Sequence, residues 1–101
     1  MTDLLTGAQR RHLRGLAHHL RPLVQVGRGG LSEAIVQAID EALLAHELIK
    51  VRIVTEREQR GEWVEEIERR LDCRSAGTVG HVVILYRPHP DPEKRRLSLP
   101  A

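Results

Sequence analysis

The segment Gly27–Gly30 places three glycines within four residues, and this feature most constrains how the chain can fold. Neither a helix nor a strand tolerates so many glycines, because glycine loses the most conformational freedom when it is ordered. The apolar run Leu23–Val26 before it has the length and branched side chains of a short strand. After it, Ser32 is a favourable helix N-cap, and apolar residues recur at helical spacing between Ile35 and Leu43. The sequence therefore predicts a strand, a tight loop and a helix in that order.

Similar patterns divide the rest of the chain into two more helices and three more strands. Thr6 and Gln9 have the spacing of a capping box, and Thr55 and Glu58 repeat it. Pro22 ends the first helix, because the residue before a proline avoids helical angles. The predicted elements are a helix from Thr6 to Pro22, a strand Leu23–Val26, a helix from Ser32, a strand Leu48–Val54, a helix from Thr55 to about Leu71, and a hairpin of Arg74–Val79 and Val82–Arg87 that turns at Gly80.

This order, α-β-α-β-α-β-β, predicts an α/β fold. Two strand–helix–strand units imply right-handed crossovers and parallel pairing, and the closing hairpin adds an antiparallel pair. We expect a two-layer sandwich of three helices and a mixed four-stranded sheet. Residues 1–88 would form the domain. The tail, residues 89–101, is rich in proline and in the basic residues Lys94, Arg95 and Arg96. We expect no regular structure there, with Leu97 and Leu99 as potential anchors.

Composition narrows the class of protein. At 101 residues the chain is one domain, and we expect a monomer. The single cysteine, Cys73, forms no internal disulfide, and no cysteine and histidine set has zinc-site spacing, so no metal or other cofactor is expected. This usage fits a reducing compartment and a cytoplasmic protein. The longest apolar run, Val82–Tyr86, is far shorter than the ~20 residues that span a bilayer.

No motif supplies the set of groups that a catalytic site needs. The adjacent His18 and His19 diverge on a helix by ~100°, so they do not form a pair. Asp40 and Glu41 are also adjacent and fall on the solvated face of the second helix. We therefore expect a protein that is not an enzyme.

The net charge of +2 conceals a segregation of charge along the chain. The net charge is +4 over residues 1–30, −5 over residues 31–72 and +3 over residues 73–101. Such segregation predicts one face that attracts an anion. With Trp63 and Tyr86 as the only aromatic residues, a nucleic acid would be held through its backbone rather than by stacked bases. The basic side chains placed on the first helix and on the polar face of the second strand are Arg10, Arg11, Arg14, Lys50 and Arg52.

The loop Gly27–Gly30 has the chemistry of a phosphate site. Glycines let a ligand approach the backbone closely, and the following helix directs free N–H groups towards the loop. Arg28 adds a planar, permanently charged guanidinium. The spacing matches neither the P-loop nor the dinucleotide fingerprint, so a plain strand–helix turn stays an alternative. The basic neighbours favour the phosphate site.

Short segments spread in order over residues 4–88 resemble the CRM domain, which is named for chloroplast RNA splicing and ribosome maturation. The chain is most similar to the stand-alone bacterial members, the YhbY-type proteins. The segments that carry the resemblance are Leu4 to Leu13 (with Thr6, Gly7, Gln9, Arg10 and Arg11), Leu16–Leu20, Pro22–Gly27, Gly30–Ala34, Ile39–Leu43, His46–Val51 and Gly80–Arg87.

This resemblance implies a fold like the C-terminal domain of bacterial translation initiation factor three. It also implies RNA binding and association with precursors of the large ribosomal subunit, with no catalytic residues. The family's G-x-x-G loop corresponds to Gly27, Arg28, Gly29 and Gly30, and its basic first helix corresponds to Arg10, Arg11 and Arg14. Gly29 differs from the small polar residue that is common at its position.

A second interpretation is a protein-interaction module. The outer faces of the second and third helices carry many carboxylates, which could dock a basic ribosomal protein. The same charges could equally keep the domain in solution.

Overall fold

A computed structural model describes residues 2–101. Its elements follow the predicted order, with a short 3-10 helix at Pro92–Lys94 in the C-terminal segment. The three helices and four strands are α1 (Gly7–Ala17), β1 (Pro22–Val26), α2 (Glu33–His46), β2 (Leu48–Ile53), α3 (Arg57–Leu71), β3 (Arg74–Val79) and β4 (Val82–Tyr86).

The four strands form one mixed sheet in the order β1-β2-β4-β3. β1 and β2 are parallel, as the crossover through α2 requires, and β4 is antiparallel to both β2 and β3. The loop after β1, the loop after β2 and the β3–β4 turn therefore lie at the same end of the sheet. The predicted α/β class, element order and mixed sheet are confirmed.

The sheet is covered on both faces, because alternate residues of its strands point to opposite sides. Ile49, Val51 and Ile53 of β2 belong to the larger core, which α2 and α3 cover. Leu48 belongs to a smaller cluster with Leu13 and Ala17 of α1. The two-layer sandwich of the sequence prediction thus has a further, partial layer, formed by α1 and the C-terminal segment. Periodicity alone assigns a helix no side of the sheet, which is why this layer was not predicted.

The start of α1 agrees with the sequence and its end does not. The Thr6 hydroxyl accepts a hydrogen bond from the Gln9 N–H at 3.1 Å, and the Gln9 side chain accepts one from the Thr6 N–H at 3.0 Å. The helix ends at Ala17, before the predicted limit at Pro22, with the Leu20 N–H turning back to the Ala17 carbonyl at 2.9 Å. Arg21 therefore lies outside α1. The chain needs this turn to reach the extended geometry that precedes a proline.

The predicted second capping box is wrong. Glu56, not Thr55, is the N-cap of α3, and no side chain caps its N-terminus. The predicted end of the helix at Leu71 is confirmed. Ile67 is fully buried, and Val64 packs beside it against the larger core.

The C-terminal segment is more ordered than predicted. Leu97 and Leu99 pack against the smaller core cluster, as their apolar character indicated. The fully buried carboxylate of Glu47 accepts hydrogen bonds from the His89 N–H at 2.8 Å and the Arg96 N–H at 2.6 Å. These contacts lie more than forty residues apart in sequence, so local patterns carried no signal for them.

Candidate nucleic-acid interface

The glycine loop is a tight turn in which only one glycine is needed for backbone reasons. The Gly30 N–H donates to the Gly27 carbonyl at 3.0 Å, which closes a four-residue turn. Gly30 has a φ of +66°, whereas Gly27 and Gly29 avoid this left-handed range. A Cβ on Gly27 or Gly29 would meet no atom within 4 Å. Neither the backbone nor the packing thus demands glycine at these two positions, and their effect is to leave the turn open to a ligand.

Trp63 of α3 fixes the position of the loop. A Cβ on Gly30 would lie 3.2 Å from Cζ2 of the indole, so the ring packs directly against the backbone of this residue. Trp63 is half-buried and also contacts the larger core. This packing confines one side of the loop, and the side chain of Arg28 is exposed.

The start of α2 follows the loop and carries a carboxylate of its own. The Ser32 hydroxyl accepts from the Ile35 N–H at 3.2 Å, which confirms Ser32 as the N-cap. Glu33, in the first turn, is paired with Arg70 of α3 at 2.8 Å. The hydrogen bond that Arg70 donates to Glu33 raises the pKa of the Arg70 guanidinium. The carboxylate of Glu33 opposes the attraction of the helix end for an anion, and its ion pair with Arg70 compensates part of that negative charge. Arg28 is the cationic side chain of the loop itself, and it is exposed.

Beside the loop, the side of the sheet that carries α1 presents two rows of residues in register across the strands. The outer row runs across β1, β2, β4 and β3 as Gln25, Arg52, Val82 and Val79. The inner row runs across the same strands as Pro22, Lys50, Ile84 and Gly77. Residues directly opposite one another share a face of the sheet, so Arg52 lies between Gln25 and Val82. Gln25 leads into the glycine loop, which makes this face continuous with it.

The side chain of Arg14, on α1, packs over the β3 end of the inner row. Its Nη1 donates to the Ala76 carbonyl at 2.9 Å. A Cβ added to Gly77 would lie only 3.0 Å from the Cδ of Arg14. Gly77 follows an irregularity in the β3–β4 pairing and has a φ of +146°. The absence of a side chain at Gly77 lets Arg14 lie across the strand. Together with Lys50, Arg14 borders a groove over the open part of the sheet.

The structure brings together some of the predicted basic residues and separates others. Arg14 and Lys50 share the groove, and Arg52 is beside it on the same sheet face. Arg10 lies one helical turn before Arg14 and donates to the Leu5 carbonyl at 2.8 Å, away from the loop. Arg11 is exposed on α1 and does not line the groove. The structure places Arg10 and Arg11 outside the groove; their predicted part in binding is untested.

Sequence reasoning missed basic side chains from α3 and the β3–β4 turn. The Ile53 N–H donates to the His81 carbonyl at 2.7 Å, which brings that turn beside the end of β2. The Nη1 atom of Arg60, on α3, lies 3.4 Å from the Nδ1 atom of His81. His18 also lines the groove. The antiparallel pairing of β2 with β4 places His81 here, and the strand order was not predictable from local patterns.

Many carboxylates of α2 and α3 have partners within the domain. Asp40 forms an ion pair with Arg87 at 2.7 Å. Arg70 pairs with two carboxylates, Glu33 of α2 and Glu66 of α3. Glu68 accepts from a backbone N–H of β3 at 3.0 Å. Among residues 2–101, no three histidine, cysteine, aspartate or glutamate side chains are grouped so that they could hold a metal ion. Within the same range, no helix has the length and apolarity to cross a membrane.

The fold and this face together define a small mixed-sheet α/β domain whose cationic surface lies at the loop end of the sheet. The family model of the CRS1/YhbY (CRM) domain matches residues 5–87. The chain therefore belongs to this family, as the resemblance in its sequence indicated.

Three relatives match this chain over nearly their whole length. A protein of Haemophilus influenzae named "RNA-binding protein" is 41% identical over 101 residues, covering 99% of this chain and 98% of the relative. The "Probable RNA-binding protein YqeI" of Bacillus subtilis is 37% identical over 98 residues, covering 96% and 100%. The solution structure of the protein SAV1595 from Staphylococcus aureus superposes with a TM-score of 0.79 at 31% identity, covering 94% of this chain and 100% of that one.

Proposed function

We propose that this protein binds RNA and contacts its phosphates at the loop Gly27–Gly30. The observation that carries the proposal is the open backbone at Gly27 and Gly29, where neither conformation nor packing requires glycine. Arg28 is exposed on the same turn and adds a guanidinium suited to phosphate. The relatives named for RNA binding support the same class of ligand.

The phosphate path continues from the loop across the sheet. Arg52, Lys50 and Arg14 follow one another from the outer row to the edge of α1. Contacts of this kind position an RNA strand without reading its sequence, so preference among RNAs would come from their shape. Arg10 and Arg11 extend the positive charge along α1 and would attract the RNA at longer range.

We further infer that the RNA is ribosomal and belongs to precursors of the large subunit. The support is the family resemblance in the sequence together with the match of the family model to residues 5–87. In this role the protein would act as an assembly factor in the cytoplasm, as a monomer and without a cofactor.

The test is a salt titration of binding to a structured fragment of large-subunit ribosomal RNA. If about four phosphates are neutralised, the slope of log K against log salt is about −3 for unpaired RNA. Arg28→Ala should weaken binding to all RNA sequences alike and make the slope shallower by about 0.7. Gly29→Asp should weaken binding further, because it places a carboxylate on the open turn.

Arg69→Ala is the matched control, since Arg69 is an exposed arginine at the far end of α3. It removes the same charge and should leave the slope unchanged. Equal losses for Arg28→Ala and Arg69→Ala would mean that net charge alone attracts the RNA, and the loop would then be only a turn.

The protein-interaction alternative has weaker support. Glu58, Glu62 and Glu65 stay exposed along α3, but the carboxylates of Asp40 and Glu33 are engaged within the domain. The carboxylates that remain exposed form a solvated stripe along α3, and such stripes are common on small charged proteins.

A further inference from the structure

The groove over the open part of the sheet combines an aliphatic floor with a cationic rim. Its volume is about 440 Å³, within the range of small-ligand sites. Val79, Val82 and Ile84 supply the floor, and Arg14 and Lys50 stand at its edges. Val79 is 67% exposed although the residue is apolar and lies within a strand.

We propose that this groove holds an unpaired nucleotide of the bound RNA, with its base on the aliphatic floor. The inference rests on the proposed function and adds the structural class of RNA that the site accepts. The partners in the groove would be Val79 and Val82 for the base, and Arg14 and Lys50 for the flanking phosphates.

The charge and polarity of the groove fit this ligand better than a duplex. In an A-form helix the bases are stacked inside, and a protein meets mainly phosphates and ribose hydroxyls. Phosphates and hydroxyls bind poorly on an apolar floor, because they lose their hydrogen bonds to water there and find no replacement. An unpaired base offers an apolar face to Val79 and Val82, while its own phosphates remain within reach of the rim.

The groove is also continuous with the proposed phosphate loop. Val82 is directly opposite Arg52 on the neighbouring strand, and Arg52 is directly opposite Gln25. Gln25 is two residues before Gly27. One RNA strand can therefore pass from the loop over Arg52 and reach the groove without leaving the sheet face.

The first arm of the test changes the RNA and leaves the protein native. The full chain is titrated at one salt concentration with three probes of equal phosphate count. The probes are an unstructured oligouridine, the same oligomer with abasic sites, and a short blunt RNA duplex. We expect the oligouridine to bind about tenfold more tightly than the abasic oligomer or the duplex, from the apolar area that the base buries.

The second arm changes the floor of the groove. The double variant Val79→Thr, Val82→Thr keeps the side-chain sizes close to the native ones and makes the floor polar. It should lose most of the advantage of oligouridine over the abasic oligomer. Leu44→Ser is the matched control, since Leu44 is an exposed leucine on α2, across the sheet from the groove. It should keep the full advantage.

The outcomes separate this inference from the proposed function. If all three probes bind equally while Arg28→Ala still weakens each of them, the groove holds no base and the phosphate loop stands. If oligouridine keeps its advantage in the double variant, the base binds elsewhere and the inference is overturned. If Arg28→Ala changes nothing and the probes bind alike, both proposals fail.

Discussion

Gly30 and Trp63 lie in direct contact, so the glycine loop and α3 are fixed against each other. A side chain at position 30 would meet the indole at 3.2 Å, and the φ of +66° at Gly30 disfavours any residue that carries a Cβ. The three glycines of the loop therefore differ in their roles. Gly30 is required by the fold, whereas Gly27 and Gly29 leave the turn open.

We therefore expect Gly30→Ala to lower the free energy of unfolding by about 1–3 kcal/mol, from backbone strain and from contact with Trp63. Gly29→Ala should change it by less than about 0.5 kcal/mol, because its Cβ would project into open space. Urea denaturation followed by tryptophan fluorescence measures both. Equal destabilisation by the two substitutions would contradict the division of roles.

The contact between Arg14 and Gly77 leads to a second prediction. Gly77→Ala should destabilise the protein by about 1–3 kcal/mol, because φ is +146° and the Cδ of Arg14 lies 3.0 Å from the added Cβ. Part of this cost should disappear in a background that carries Arg14→Ala. A double-mutant cycle of unfolding free energies measures the coupling. Additive effects would mean that Arg14 moves aside freely and is not held over β3.

Glu47 is predicted to hold the C-terminal segment in place. Its buried carboxylate accepts the N–H groups of His89 and Arg96, and Glu47→Gln replaces one accepting oxygen by a donor. The expected loss of stability is about 1.5–3 kcal/mol. Hydrogen exchange at the two amides should accelerate more than exchange in β4. Glu41→Gln, on the exposed face of α2, is the control and should leave both amides protected.

Cys73 gives a prediction for alkaline pH. Burial raises the pKa of its thiol from 9.0 to about 12, so the folded protein keeps a proton that the unfolded chain releases. The stability is complete below pH 9 and falls as the pH rises towards 12, by about 1.4 kcal/mol for each pH unit. Cys73→Ala should remove this slope. Burial also raises the pKa of Tyr86 from 10.0, so the comparison is made below that pH.

Thermal or urea unfolding at about pH 8 and about pH 9.5 measures the difference for the native chain and for Cys73→Ala. The variant will be less stable at both values because of the small cavity, so the readout is the change between them. The same loss with pH in both proteins would show that Cys73 is not the group that titrates.

Local patterns in the sequence predicted most of the fold. The alternation of Ile49, Val51 and Ile53 identified β2, and the capping box at Thr6 gave the start of α1. Both are short-range signals, set by side-chain period and by hydrogen bonds within one turn. The misplaced cap at Thr55 arose because such a spacing permits a capping box without requiring one.

Relations between distant residues could not be predicted in this way. The strand order, the second covered face of the sheet and the hydrogen bonds of Glu47 depend on contacts far apart in sequence. For the candidate site, the loop and its basic neighbours were named from the sequence. The separation of Arg10 from Arg14, and the presence of His81 beside β2, needed the three-dimensional register.

The most direct test of the central claim is a map of backbone amide shifts by two-dimensional NMR as oligouridine is added to the full protein. We predict the largest changes in Gly27–Gly30, followed by Lys50, Arg52 and Val82 on the adjoining sheet face. Changes centred on α3 or on residues 94–96, with the loop unaffected, would contradict RNA binding at the glycine loop.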